Sequence, residues 1–354
     1  MSERRLSRRQ ALSGQVGLGL AGAAALAAPN VARAQSSRAL AVVAMDGALE
    51  YSALLTRLAE RVALVSRGTL RLEAAGANAP VQAVQTVANG NADAALGRPD
   101  TLMPLDPAFG LFSSVPFGLD PREFEAWVQH GGGQRDWDDL ARAQGIKPVL
   151  VGDFGSTFGG WFQKPFIARD DIANMRIATE GLGAVAVEAA GAIPVVLDGG
   201  GIGASVSFGL TRDMGLGLSQ AFPFLVTPSL FHPQRAIALQ FNASLWDSLS
   251  EEERMILTTC CEAETEAMMT ERLDLEMRAF GDLVRGGTQS APISDALYAE
   301  LAGLAHDALS ERFAASPIGA SIWLNYQDFL SKVSGWSEVG EGLFTVKRAA
   351  ALGM

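Results

Sequence analysis

Apolar and polar positions in the first hundred residues switch between the spacing of strands and the spacing of helices. Segment 38–46, "RALAVVAMD", is an apolar run that predicts a buried strand, and segment 69–76, "TLRLEAAG", alternates as a strand does. Between them, leucine and valine recur every three or four residues, which predicts a helix. Segment 79–97 predicts a second helix, which ends at an Asn-Gly pair, and then a short strand. This order predicts an α/β fold.

Further strands are predicted in the middle of the chain. Segment 146–162, "IKPVLVGDFGSTFGGWF", predicts a long strand followed by a polar turn that contains glycine. Segment 174–181, "NMRIATEG", predicts a short strand that carries Arg176, and a helix and another strand follow it. Segment 234–242, "QRAIALQFN", predicts a strand that leads into the helical last third of the chain.

The last third of the chain is predicted to consist mainly of helices. One or two long helices follow the strand, and Ser250 and Glu253 have the spacing of a capping box at a helix start. Two more helices are predicted, at about 295–314 and about 323–336.

The N-terminus has the order of segments that is typical of a bacterial export signal. An arginine cluster at residues 4–9 precedes a Gly/Ala/Leu stretch, and Ala32-Arg33-Ala34 places small residues where a signal peptidase cleaves. The paired arginines indicate the twin-arginine route. Residues 1–34 are therefore predicted to be a signal peptide, and the mature chain is predicted to be periplasmic.

Composition narrows the class of protein. The chain has 354 residues and a formal net charge of −11, and the predicted signal peptide removes five arginines but one glutamate. So acidic a chain argues against nucleic-acid binding, which needs a basic surface. The length suits two lobes better than one core. The two cysteines, Cys260 and Cys261, are adjacent, so no disulfide framework is expected.

Motifs for catalysis are weak throughout the sequence. No G-x-S-x-G nucleophile motif is present, and the glycine-rich segment 197–203, "LDGGGIG", lacks the Lys-Ser/Thr of a phosphate-binding loop. The histidines, His130, His232 and His306, are far apart in sequence, and the acidic segment 251–276 fits a solvated helix face. The chain is therefore predicted to be no enzyme and to carry no cofactor.

Arg176 allows two interpretations. An arginine in a short apolar strand either forms a structural ion pair or holds a carboxylate through two parallel hydrogen bonds. The residue type alone favours neither interpretation.

Several stretches, in the right order, resemble the periplasmic solute-binding proteins of TRAP transporters. They are "VQAVQTVANGNADAALG", "FSSVPFGLDPREFEAWVQHGGG", "GGWF", "MRIATEGLGAVAVEAAGAIPVVLDGG" and "LQFNASLWDSLSEEER". The segment around "VPFGLDPREFEAW" is the most specific. The chain looks closest to the branch associated with mannitol and chloroaromatic compounds, which includes 2-oxo acid binders.

This resemblance implies a fold, a ligand class and a binding site. It implies two α/β lobes joined by long crossing strands, with an organic anion in the cleft and a hinge motion that closes it. It also implies delivery of the ligand to TRAP permease subunits in the membrane. Arg176 matches the arginine that holds the ligand carboxylate in the family. The other residues expected to line the cleft are Thr157, Phe158 and Trp161 on one side and Arg98 and Phe112 on the other.

Segment 208–224, "FGLTRDMGLGLSQAFPF", departs from the branch pattern. Members of the branch have a Glu-Trp pair here which, with a glutamine ahead of "GGWF", helps to hold a cation that bridges to the ligand. In this chain Thr157 takes the place of the glutamine, and Leu216 and Gly217 lie where the pair is expected. Leucine cannot bind a hard cation as a carboxylate does. The segment is thus interpreted as a binding loop without metal ligands, and no bound metal is predicted.

The resemblance also predicts the domain organisation. Lobe I comprises 35–155 and 241–285, lobe II comprises 156–240, and residues 286–354 form helices that pack across the lobes. Some relatives dimerise through C-terminal helices, so a homodimer through Trp323–Trp336 is a further expectation. The altered loop also motivates an alternative, a divergent paralogue that senses or interacts in the periplasm without transporting a solute.

Overall fold

The computed structural model describes residues 37–46, 49–197 and 201–353. The predicted signal peptide, residues 1–34, lies outside the described residues. Within the described part of the chain, no helix combines the length and the apolar character needed to cross a membrane.

Strands and helices alternate along most of the chain. The strands are β1 (Arg38–Met45), β2 (Leu70–Asn78), β3 (Ala94–Gly97), β4 (Ile146–Asp153), β5 (Gly160–Phe162), β6 (Arg176–Ala178), β7 (Ile193–Val195), β8 (Ala204–Ser205), β9 (Phe224–Thr227), β10 (Ala236–Asn242) and β11 (Gln289–Pro292). The helices are α1 (Leu49–Val65), α2 (Pro80–Ala88), α3 (Pro121–His130), α4 (Gly133–Arg142), α5 (Gly183–Ala189), α6 (Leu210–Gly215), α7 (Leu218–Ala221), α8 (Ala243–Ser248), α9 (Glu251–Arg285), α10 (Asp295–Ala314), α11 (Pro317–Val339) and α12 (Glu341–Leu352).

The first sheet has the strand order β2-β1-β3-β10-β4. Strands β1, β2 and β3 run parallel, and β10 runs antiparallel to both of its neighbours. Apolar clusters cover both faces, one with Leu54 and Leu58 of α1, the other with Trp127 and Trp137 of α3 and α4. Because both faces of this sheet are covered, β1 and β10 are apolar along most of their length. Strands that are buried on both faces show little alternation of apolar and polar residues.

The second sheet has the strand order β11-β9-β5-β8-β6-β7. Its strands are short, and they surround an apolar cluster that includes Trp161, Phe231 and residues of α5 and α10. Two separate sheets, each with its own apolar cluster, confirm the α/β fold class that the alternation of strand and helix spacing predicts.

Several segments pass between the two sheets. The chain leaves the first sheet after β4 and enters the second at β5, and it returns between β9 and β10. Helix α9 also joins them, since Leu257 and Cys261 pack in the first sheet's cluster and Ala279 and Leu283 pack in the second's. Helix α9 is therefore the crossing helix that the family resemblance implies. The chain itself crosses at 154–159 and 228–235, which lie between strands, so within the described residues no single strand runs through both sheets.

Local signals located the helix ends well. Ser250 and Glu253 form the predicted capping box at the start of α9, and α10 spans the predicted 295–314. Helix α11 is longer than the predicted 323–336, and α12 was not predicted. The lobe boundaries stay a prediction. The boundary predicted between residues 240 and 241 falls within β10, which lies wholly in the first sheet, and β11 of the predicted C-terminal segment lies in the second sheet.

Phe112 is held in the core of the first sheet, where its ring stacks between two indoles. The ring centroids lie 5.3 Å from Trp127 and 4.8 Å from Trp137, at interplanar angles of 17° and 5°. We expect Phe112→Ala to lower the free energy of unfolding by about 3–5 kcal/mol, because the cavity would form inside a packed stack. Urea unfolding followed by tryptophan fluorescence measures the change.

Leu64→Ala is the control for this prediction, because Leu64 on α1 is 79% exposed. Its free energy of unfolding should change by less than about 0.5 kcal/mol, as for most exposed positions. Equal effects of the two substitutions would contradict the placement of Phe112.

Candidate functional site

Charged side chains from both sheets meet at the edge where the sheets face each other. Arg98 directly follows β3, and Arg235 directly precedes β10, which runs antiparallel to β3. Both arginines therefore lie at the same edge of the first sheet. Glu180 follows β6 of the second sheet and reaches across to them. Ligands in open α/β sheets bind outside the carboxyl ends of strands, so this edge is the candidate site.

The carboxylate of Glu180 is held by two guanidinium groups. Arg98 binds it with two parallel hydrogen bonds, from Nη1 to Oε1 and from Nη2 to Oε2, the second at 2.9 Å. Arg235 donates from Nη2 to the same Oε1 at 2.8 Å and from Nη1 to the carbonyl of Phe208 at 3.1 Å. Such charge-assisted, bidentate geometry is the strongest hydrogen bonding that protein side chains offer a carboxylate.

The charges of this cluster balance. Asp100 lies 3.3 Å from Arg98 Nε, so two arginines face two carboxylates. Burial by itself would raise the pKa of Glu180, but Arg235 and Arg98 beside it hold that pKa well below the usual range of a glutamate. Glu180 is therefore ionised at neutral pH, and the cluster is neutral as a whole.

His232 adds a neutral imidazole to the cluster. Its Nε2 lies 2.9 Å from the carbonyl oxygen of Glu180. A carbonyl only accepts, so Nε2 carries the proton and Nδ1 is left as an acceptor. Burial lowers the pKa of His232, which keeps the ring neutral. Gly183 allows this approach, because a Cβ there would lie 2.7 Å from Thr179 Oγ1 and closer still to the imidazole.

Some polar atoms of the cluster are buried without a partner. Thr179 Oγ1, His232 Nδ1 and Arg235 Nε have no hydrogen-bond partner within the described residues. The three side chains belong to residues that are 6%, 3% and 2% exposed. Buried polar groups are nearly always paired in folded proteins, so a group of unpaired donors and acceptors at one place indicates a site for a small polar molecule.

Thr157 ties together the two segments that cross between the sheets. Its hydroxyl donates to the carbonyl of His232, and it lies 3.1 Å from the hydroxyl of Ser229. Thr157 thus contacts the cluster through His232, as expected for a residue at the edge of the site. Phe158, the next residue, stacks on Phe280 of α9 at 6.1 Å with an interplanar angle of 4°.

The segment "FGLTRDMGLGLSQAFPF" forms α6, α7 and the start of β9, and Gly217 at φ +75° separates the two short helices. Asp213 in α6 is completely buried. Its carboxylate accepts from Trp161 Nε1 at 2.8 Å, from the Ser207 hydroxyl at 2.6 Å and from the Phe208 amide at 2.9 Å. The segment therefore holds Trp161 in the core.

Trp161 is fully buried by this arrangement, and burial raises the pKa of Asp213 to about 6. Leu216, where the sequence comparison places the missing acidic-aromatic pair, is 47% exposed. The segment is thus built around a buried aspartate, a role that the sequence analysis did not assign to it.

The structure brings some of the predicted ligand-binding residues together and separates others. Arg98 and Thr157 lie in or beside the charged cluster, and Trp161 is in the apolar cluster of the second sheet. Phe112 is fully buried in the core, where its ring stacks with the indoles of Trp127 and Trp137. Arg176 is exposed, and its Nε donates to the carbonyl of Gly201 at 3.1 Å. Its role as a carboxylate clamp stays a prediction.

Glu180, Arg235 and His232 were missed in the sequence. Glu180 lies just after a predicted strand, and His232 and Arg235 lie at or just before the start of another. Binding sites on α/β sheets form at strand ends, so polar residues at these positions were the signal that could have found them. Arg235 lies 137 positions from Arg98 in the numbering, and no local pattern links the two. His232 looked isolated because its partners come from other strands.

The described residues contain no group of three or more His, Cys, Asp or Glu side chains arranged to hold a metal ion. At the charged cluster the nearest carboxylates, Glu180 and Asp100, are already bound by Arg98. A hard cation needs several free oxygen ligands, and the oxygens of Glu180 and Asp100 already face guanidinium groups, so this cluster does not suit one.

Comparison with known families identifies the same relationship as the sequence stretches. Residues 40–205 match the model of the family described as bacterial extracellular solute-binding protein, family 7. A monocarboxylate 2-oxoacid-binding periplasmic protein from Nostoc sp. is 25% identical over 296 residues, which cover 80% of this chain and 81% of that protein. These matches confirm the predicted resemblance.

Solved structures with the same fold come from this type of protein. A TRAP transporter solute-binding protein from Bordetella bronchiseptica, a dimer with calcium and picolinate in one site, has a TM-score of 0.81 and 19% identity, covering 90% of this chain and 98% of its own. A TRAP periplasmic solute-binding protein from Colwellia psychrerythraea, with bound calcium and pyruvate, has a TM-score of 0.80 and 18% identity. The match covers 88% of this chain and 99% of that chain. At these identities the likeness shows the fold alone, and it is the predicted two-lobe fold.

Asp153, at the end of β4, provides a test of the electrostatics of the site. Its Oδ1 accepts from the amides of Gly155 and Arg235 at 2.7 and 3.3 Å, and burial raises its pKa from 3.8 to about 7. A raised acid pKa contributes stability that is complete below pH 3.8 and is lost as the pH rises through about 7. Asp153→Asn keeps the accepting oxygen and cannot ionise.

We therefore expect the free energy of unfolding of Asp153→Asn to increase relative to that of the wild type as the pH rises. The difference in free energy of unfolding should shift in favour of the variant by about 2–3 kcal/mol between pH 5 and pH 8. Urea unfolding at a series of pH values measures it, with exposed Asp170→Asn as the control. A difference that stays constant with pH for Asp153→Asn would contradict the burial argument.

Proposed function

Because residues 40–205 of this chain match the model of bacterial extracellular solute-binding protein, family 7, we propose that the protein binds a small organic acid in the periplasm and delivers it to a TRAP-type permease. It acts as a binding protein and not as an enzyme. The export route is the predicted twin-arginine pathway, and the partners are the solute and the membrane subunits of the transporter.

One observation carries this proposal: two buried arginines converge on one carboxylate at the edge where the two sheets meet. The side chains of Arg98 and Arg235 are 10% and 2% exposed. Arginine pairs of this kind fit the planar, two-oxygen shape of a carboxylate. A carboxylate solute at this position would bind the two arginines of the first sheet beside Thr179, which follows β6 of the second sheet.

The charges at the site favour an acid with one negative charge. When the Glu180 carboxylate gives up its place to a solute, Asp100 stays beside Arg98, so Arg98 and Arg235 then offer one net positive charge. A monoanion balances that charge, whereas a dianion would leave a net negative charge in a buried place, which is costly. The nearby acceptor at His232 and donor at Thr179 suit a polar group next to the carboxylate, such as the oxygen of a 2-oxo or 2-hydroxy acid.

The same cluster supports binding without a cation. Neighbouring structures contain calcium or sodium together with the acid. In this chain the carboxylates at the cluster are bound by arginine, and arginine itself supplies the positive charge that a bridging cation would bring.

Binding of pyruvate tests the proposal. We expect calorimetry to detect binding of pyruvate by the mature wild-type protein, to show weaker binding of succinate, and to give the same result with a chelator. Arg98→Lys keeps the charge but loses the bidentate geometry, so its affinity for the acid should fall about tenfold or more.

Arg176→Ala is the matched variant, because Arg176 is the clamp predicted from the sequence and lies exposed in the structure. Retained affinity in this variant with loss in Arg98→Lys assigns the carboxylate to the buried cluster. The opposite pattern assigns it to Arg176. If no acid raises the melting temperature or binds in calorimetry, the alternative of a periplasmic sensing or interaction protein is favoured.

The C-terminal helices offer a surface for the predicted homodimer. Trp323, at the start of the predicted contact segment, is 5% exposed and packs in the core, but Trp336 is 62% exposed at the end of α11. Val339 and Phe344 continue the exposed apolar surface at 71% and 62%. A second copy of the chain is the proposed occupant, since a structural neighbour of the same fold is a dimer.

We expect the wild-type protein to sediment as a dimer and the double variant Trp336→Ser/Phe344→Ser to sediment as a monomer. The reason is that large exposed apolar patches mark interaction surfaces. Sedimentation equilibrium measures the mass, and Leu64→Ser, at a residue 79% exposed on α1, is the control. A monomeric wild type at all concentrations would contradict the proposal.

A further inference from the structure

We propose that the carboxylate of Glu180 is an internal competitor that occupies the binding place of the solute's carboxylate, so that a solute must displace it from Arg98 and Arg235. The inference rests on the proposed function, since it assigns the two arginines as the carboxylate receptor. It adds a residue of the chain itself that regulates access to that receptor.

The contacts of Glu180 are those expected of a bound carboxylic acid. Arg98 holds both oxygens in parallel, and Arg235 adds a third charge-assisted hydrogen bond to Oε1. A free carboxylate of the same shape can make each of these bonds without any movement of the arginines. Glu180 and a solute carboxylate are therefore chemically equivalent at this place.

The exposure of the three side chains shows which of them can leave. Arg98 and Arg235 are 10% and 2% exposed, whereas Glu180 is 28% exposed. The arginines are also fixed by other partners, Asp100 for Arg98 and the carbonyl of Phe208 for Arg235. Within the described residues, the Glu180 carboxylate is hydrogen-bonded to these two arginines alone.

The position of Glu180 in the chain permits this exchange. It lies in the connection between β6 and α5, outside any regular element, and Gly181 follows it at φ +55°. The backbone of Glu180 is held separately, since its carbonyl accepts from His232 Nε2. The side chain can therefore swing towards solvent while the loop stays in place, and the receptor keeps its shape for the incoming acid.

Charge balance makes the exchange one for one. The arginines never lack an anion, because the solute carboxylate arrives where the Glu180 carboxylate leaves. Since a buried arginine without an anion is costly, the protein closes in the absence of solute with its own carboxylate in place. The affinity for solute is then reduced by the fraction of molecules in which Glu180 occupies the receptor.

Removal of the internal carboxylate tests the inference. Glu180→Ala should melt at a lower temperature than the wild type without ligand, because Arg235 loses its charged partner. Acetate, which matches the deleted group, should raise the melting temperature of Glu180→Ala far more than that of the wild type. The affinity of Glu180→Ala for pyruvate in calorimetry should exceed that of the wild type by about tenfold or more.

Glu188→Ala is the matched control, since Glu188 is an exposed glutamate on the adjoining helix α5. It should respond to acetate and pyruvate as the wild type does, and sodium chloride at equal ionic strength should not replace acetate. If Glu180→Ala folds only when acetate is present, that dependence itself supports the inference. Glu180→Asp, shorter by one methylene, should give an intermediate affinity for pyruvate.

The outcomes separate this inference from the proposed function. If the wild type binds pyruvate and Glu180→Ala binds it no more tightly, Glu180 is a structural or ligand-contacting group and the inference is overturned, while the function stands. If acetate rescues Glu180→Ala but neither the wild type nor Glu180→Ala binds pyruvate, the arginines hold only the internal carboxylate, and both the inference and the proposed function are overturned. Equal responses of the wild type, Glu180→Ala and Glu188→Ala to acetate also overturn the inference.

Discussion

Two guanidinium groups buried where the sheets meet impose the main constraint on this structure. Arg98 and Arg235 both belong to the first sheet, and a buried cation is tolerated only when an anion lies against it. Part of that negative charge comes from Asp100 nearby, and the rest comes from Glu180 in the second sheet. The second sheet is thus bound to the first by ionic contacts as well as by apolar packing and by the chain itself.

The surrounding polar residues follow from this constraint. His232 stays neutral because burial lowers its pKa. Its Nε2 donates to the carbonyl of Glu180, and this hydrogen bond fixes the loop that carries the carboxylate. Thr157 then joins the backbone of His232 to the other segment that crosses between the sheets. The two crossing segments and the charged cluster are therefore one connected hydrogen-bonded unit, and a solute that changes the ion pairs acts directly on the connections between the sheets.

The same constraint makes the proposed anion site compatible with an acidic chain. Overall charge acts at a distance and is screened, whereas two arginines in a buried place act at hydrogen-bond range. The structural neighbours with pyruvate or picolinate share this fold at 18–19% identity. At such low sequence identity the fold is retained, while the charged groups at the strand ends can differ. In this chain, arginine and glutamate provide the charges at the edge where the sheets meet.

The sequence by itself determined the elements and the fold class. The spacing of apolar residues located β1, α1 and β10, and the capping pair Ser250 and Glu253 located the start of α9, because these signals depend on neighbours within a few residues. The family stretches then predicted a two-lobe α/β fold, and the two sheets and the structural neighbours agree with it. Of the predicted site residues, Arg98 and Thr157 lie at the charged cluster.

Only the tertiary structure decided which charges meet. Arg235 and Glu180 come from different sheets, and nothing local in either segment indicates that they touch. Phe112 and Trp161 show the converse, since both looked suited to line a cleft and both are fully buried in the apolar clusters. Local periodicity tells which face of an element is apolar, but the partner of a charged group depends on how distant strands end at a common edge, which is a property of the whole fold.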